Sequence, residues 1–102
     1  MREDMMKAIA RREEVVSGVR QVLIEGLGVR RAPDEIDPDA PLFGTGLGLD
    51  SVDAVELVVG LEAKFGVHFA QGYMHRRLLR TVGTLADAVI AVLDAPRGPD
   101  AA

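Results

Sequence analysis

From Val15 onward the apolar positions Val15, Val19, Val22 and Leu23 recur every three to four residues and stop at Gly26 and Gly28. That is the period of one buried helix face followed by C-terminal punctuation, and it predicts a first helix. Residues 1–14 are charged throughout, so they read as a charged N-terminal extension or the frayed start of that helix. Arg30 to Leu49 contains Pro33, Pro38, Pro41, Gly44, Gly46 and Gly48; no periodic template survives so many breakers, and a long loop is expected. Ser51 to Phe65 restores the helical period, with no proline, one interior glycine and Gly66 at its end. Met74 to Arg80 suits a short third helix, and Leu85, Val89, Val92 and Leu93 mark a last one ending before Pro96 and a polar tail. The expected organisation is all-α: a charged segment 1–14, one folded domain 15–94 and a flexible tail 95–102, with no internal repeat.

The second helix has two apolar faces. At about 100° per residue, Ala54, Leu57, Val58, Leu61 and Phe65 fall on one side, the expected core face. Nearly opposite fall Val52, Val55 and Val59, with Asp53, Glu56 and Glu62 around them. A one-sided core does not need this second stripe. It is either ordinary scattered surface valine or a docking surface, apolar in the middle and acidic at the rim.

Composition narrows the chemistry. The chain has 102 residues, enough for one domain with a thin core, and aromatics are only 4%, so that core must be built from Val, Leu, Ile and Ala. The absence of cysteine removes disulfide frameworks, thiolate zinc sites and cysteine nucleophiles. The longest uninterrupted apolar run, Ala88 to Leu93, is far too short to cross a bilayer, so a cytoplasmic protein without membrane insertion is expected; a monomer is expected as well. Net charge is −4, but residues 34 to 65 hold eight acids (Asp34, Glu35, Asp37, Asp39, Asp50, Asp53, Glu56 and Glu62) against Lys64 alone. Such a stretch repels nucleic acid and attracts basic protein partners.

The acidic stretch contains Gly46-Leu47-Gly48-Leu49-Asp50-Ser51-Val52-Asp53 at the head of the second helix. Asp50 is placed to cap the free N–H groups, leaving the Ser51 hydroxyl on the first turn and facing solvent. An anion esterified there sits beside the positive end of the helix dipole. By itself, Asp-Ser before an apolar helix is only an N-cap. Together with the acidic helix and the Gly-rich approach, it resembles the acyl carrier protein family, whose modified serine lies in an Asp-Ser-Leu/Val motif at the start of helix II. Here that motif is Asp50-Ser51-Val52, and the resemblance runs from about Val15 to Leu93. It includes Val22-Leu23-Ile24-Glu25-Gly26-Leu27-Gly28-Val29 before the loop and Val52-Asp53-Ala54-Val55-Glu56-Leu57-Val58 after it.

The resemblance implies a four-helix acyl-carrier-protein-like bundle, with a long loop between helices I and II and a short helix III. It also implies a chain that catalyses nothing. A phosphopantetheinyl transferase would attach 4'-phosphopantetheine from coenzyme A to Ser51, with Asp50 its acidic neighbour. Acyl groups would then travel as thioesters for fatty acid, polyketide or specialised lipid synthesis. The implied partners are acyl-loading ligases or synthases, ketosynthases and other acyl-processing enzymes. They would read Val52, Asp53, Val55, Glu56, Val59 and Glu62. One departure is the segment His75-Arg76-Arg77-Leu78-Leu79-Arg80, basic where the family stays acidic. Arg76, Arg77 and Arg80 are therefore candidate partner-selecting residues of a specialised member.

Other readings fare worse. Gly44-x-Gly46-x-Gly48 lacks the Lys-Ser/Thr of a P-loop. An EF-hand loop around Asp37 and Asp39 would need Gly and Glu where Leu42 and Gly48 stand. A hydrolase reading of Ser51 lacks Gly-x-Ser-x-Gly, with only His68 and His75 as possible bases, and the same histidines lack metal-ligand spacing. The surviving alternatives are an aminoacyl or peptidyl carrier and a helical protein-binding adaptor without a prosthetic group.

Overall fold

The computed structural model describes residues 2–43, 46–70 and 78–95. Three α-helices stand among them: α1, Arg2–Gln21; α2, Ser51–Phe65; and α3, Val82–Asp94. A single π-turn, Val22–Gly26, prolongs α1, and a 3₁₀ turn, Pro33–Glu35, lies in the long connection that follows. Among the described residues there is no strand, only an isolated parallel bridge between Phe43 and Leu49. The all-helical class agrees with the periodicity. Of the expected short third helix, Met74–Arg77 lie outside the described residues, and Leu78 to Arg80 form a turn.

Helix α1 begins at Arg2, with Glu3 and Asp4 in its first turn and Arg20 in its last, the arrangement that complements a helix dipole. Its buried residues, Val15, Val16, Gly18 and Val19, all lie towards its C-terminal end. Further back the helix meets α3 through charge: Arg11 pairs with Asp94 at 2.6 Å and Arg12 with Asp87 at 3.2 Å. Such exposed pairs contribute little to stability.

The core joins Val15, Val19 and Leu23 to Leu57 and Leu61 of α2 and to Val82, Leu85, Ala86 and Val89 of α3, all buried. On α2 only Leu57 and Leu61 are fully enclosed; Ala54, Val58 and Phe65 are half-buried at the edges of the predicted face. Two glycines permit close approach of the elements. A Cβ on Gly18 would stand 2.5 Å from the Phe65 ring, and one on Gly60 would stand 2.7 Å from Val22 Cγ1.

Two side chains from the long connection, Ile36 and Leu42, complete this core. Their backbone is tied down as well. Leu42 N–H donates to the Arg80 carbonyl at 2.9 Å, Gly83 N–H to the Pro38 carbonyl at 2.8 Å, and Arg20 Nε to the Ile36 carbonyl at 3.0 Å. The described part of the connection is therefore irregular in conformation but tied at Ile36, Pro38 and Leu42 to the helices and the turn before α3, and Leu49 and Asp50 stand at the head of α2.

Helix α2 ends at Gly66, whose φ of 64° and ψ of 34° lie in the left-handed region. Nothing crowds the place of a Cβ there, so Gly66→Ala tests the backbone alone. The substitution should cost about 1 kcal/mol, read as a lower urea midpoint at unchanged slope. An unchanged midpoint would show that the helix does not end in this conformation.

Candidate functional site

The head of α2 is built by two aspartates that cap each other. Asp53 N–H donates to Asp50 Oδ1 at 3.0 Å, and Asp50 N–H donates to Asp53 Oδ2 at 3.0 Å. This reciprocal box satisfies backbone donors that the first turn leaves free. Ser51 is the first helical residue and takes no part in these two bonds; it is exposed. The cap predicted for Asp50 is present. Asp53, expected from the resemblance to meet partner enzymes, is the other half of that cap.

The valine stripe lies where the helical projection puts it. Val52 and Val55 are each 65% exposed and Val59 is 58% exposed, with Glu56 exposed among them. These are among the most exposed large apolar side chains of the described residues, and they share one face of one helix. Glu62 is turned differently. Its Oε2 accepts from Phe69 N–H at 2.8 Å and stands 3.0 Å from His68 Nδ1, so it holds the segment that follows α2.

An open groove of about 990 Å³ runs beside Ser51. Pro41, Phe43, Leu49 and Leu79 give it apolar walls, and Asp39, Asp50, Arg80 and Thr81 stand along it with Ser51. Of the basic segment, His75, Arg76 and Arg77 lie outside the described residues, whereas Arg80 borders the groove. No signal in the sequence pointed to that position, because it depends on the turn before α3 meeting the connection at Leu42. Among the described residues no group of three or more His, Asp or Glu is arranged to hold a metal ion, and no helix is long and apolar enough to cross a membrane.

An exposed hydroxyl at a helix start, already relieved of capping and opening on a groove with apolar walls, fits a long prosthetic group joined through an ester. Residues 17–89 match the family described as "Phosphopantetheine attachment site". The chain is similar to the acyl carrier protein of Campylobacter hominis, 48% identical over 54 residues that cover 53% of this chain and 65% of that protein. It is also similar to the acyl carrier protein of Sulfurovum sp., 37% identical over 71 residues that cover 70% of this chain and 84% of that protein. With the family match reaching from the last turns of α1 through all of α2 into α3, and a relative matched over most of its own length, the chain belongs to the acyl carrier protein family.

Proposed function

We propose that this protein carries acyl groups on a 4'-phosphopantetheine arm joined through a phosphodiester to Ser51, in a cytoplasmic fatty acid, polyketide or specialised lipid pathway. The observation that carries the reading is Ser51 itself: exposed in the first turn of α2 while Asp50 and Asp53 do the capping. When bound, the arm supplies a terminal thiol on which acyl groups are held as thioesters. The protein contributes the rest. Ser51 Oγ is the point of attachment, the Asp50–Asp53 box keeps it at the helix start, and the groove walls at Phe43, Leu49 and Leu79 offer apolar surface next to it. Tethering raises the effective concentration of substrate at each partner enzyme. Incubation with coenzyme A and a broad-specificity phosphopantetheinyl transferase should add one arm by intact mass; no addition with any transferase tried would remove this reading.

The partner enzymes meet Val52, Val55, Glu56 and Val59. An apolar centre with an acidic rim suits brief contacts, because charge complementarity speeds encounter without a large dry interface. Val59→Lys and Glu56→Lys should each weaken acyl transfer to synthase partners while stability stays within about 0.5 kcal/mol of the wild type. Transfer kinetics and thermal melts check both halves. A large loss of stability would place these side chains in packing and end the docking role. Arg76 and Arg77 add, by charge, a basic contact for a partner with acids beside its usual basic site.

A further inference from the structure

Arg80 and Ser51 are distant in sequence yet border the same groove. The backbone beneath Arg80 is held on both sides. Its carbonyl accepts from Leu42 N–H at 2.9 Å. The next residue, Thr81, forms a reciprocal cap with Thr84, each N–H donating to the other's Oγ1 at 3.0 Å. The side chain on this fixed base is exposed. Arg11 and Arg12 are paired with carboxylates and Arg20 donates to a carbonyl. Among the described residues no carboxylate pairs with Arg80, although Asp39 and Asp50 border the same groove. A guanidinium in this position is a five-donor fork with no anion paired to it among the described residues.

We propose that Arg80 is a positioning residue for the prosthetic arm: its guanidinium takes the phosphodiester at Ser51 and holds the arm against the groove instead of free in solvent. The inference rests on the attachment of the arm to Ser51. A phosphodiester keeps one negative charge across the physiological range, and its ester bond keeps it at the border of the groove that Arg80 shares. Arginine binds such a group through two parallel N–H···O bonds. Asp39 and Asp50 compete for the same cation, but the arm competes as a tethered ligand at high effective concentration. Because the pair stays in contact with water, the bias is modest, roughly two- to fivefold in population at low ionic strength, and high salt screens it.

The test uses the full chain, apo and loaded, labelled with ¹⁵N. Intact mass is read first: a protein that takes no arm overturns the attachment reading and this inference with it. On the loaded protein the Arg80 Nε–H resonance should shift and exchange more slowly with water than in the apo form. The ³¹P transverse relaxation rate should fall in loaded Arg80→Gln, and less in Arg80→Lys, which keeps the charge without the fork. Salt should produce the same fall in the loaded wild type, a readout that needs no substitution. A loaded wild type whose Arg80 Nε–H matches the apo form, and whose ³¹P relaxation is insensitive to salt, overturns the inference and leaves the attachment at Ser51 standing.

Discussion

Replacing Ser51 with alanine should leave a folded protein that accepts no arm at all. The two halves of that expectation have separate causes. Ser51 is exposed, and the backbone donors of the first turn are met by the Asp50–Asp53 box, so its hydroxyl carries no structural duty there. Alanine is a favourable residue within a helix, so stability should remain within about 0.5 kcal/mol of the wild type. Loading, by contrast, needs an oxygen at that position, and no other hydroxyl lies in the first turn of α2. Intact mass after incubation with coenzyme A and a transferase decides the matter, with circular dichroism to confirm the fold. Undiminished loading of the alanine variant would move the attachment point elsewhere and dismantle the site as described.

The second large effect is expected far from the serine, at Leu42. This side chain is 1% exposed and lies in the same core as Leu57, Leu61 and Leu85. Leu42→Ala removes buried methyl groups and leaves a cavity that the helices cannot fully close, at a cost of about 2–5 kcal/mol. That is a large fraction of the ~5–15 kcal/mol by which a domain is stable, and for a chain of this size it corresponds to a Tm lower by on the order of 10 °C or more. The effect should reach the site. Leu49 N–H donates to the Leu42 carbonyl at 3.2 Å, and Phe43 and Leu49, bridged to each other, are both groove walls. Loading of Ser51 should therefore slow at temperatures where the wild type is still fully folded. A melt within a degree or two of the wild type would show that the connection does not plug the core, and its claim to shape the groove would go with it.

Helix-scale features were legible in the sequence because they repeat. Leu57 and Leu61 on one side of α2 and Val52, Val55 and Val59 on the other are fixed by a 3.6-residue period that any single chain segment displays. Asp50 before Ser51 is likewise a local signal, since a cap needs only its own helix. The sequence by itself thus determined an all-helical chain, a capped helix start with a free serine, and an apolar stripe with acids beside it. The tertiary structure decided the rest through contacts that have no period and join distant residues. Ile36 and Leu42 sit among prolines and glycines that conceal any pattern, and only packing between helices shows that they are core. Asp53 and Glu62 look like members of one acidic rim, yet one is taken by the Asp50 N–H and the other by the Phe69 N–H, because backbone donors at a helix start and in the segment after a helix have no intrahelical carbonyl and a nearby carboxylate satisfies them. Arg80 read as one more charge of a basic segment. The hydrogen bond from Leu42 to its carbonyl, and the cap at Thr81 beside it, set it on the groove with Ser51, a placement that no local pattern encodes because it exists only once α2, α3 and the long connection have packed together.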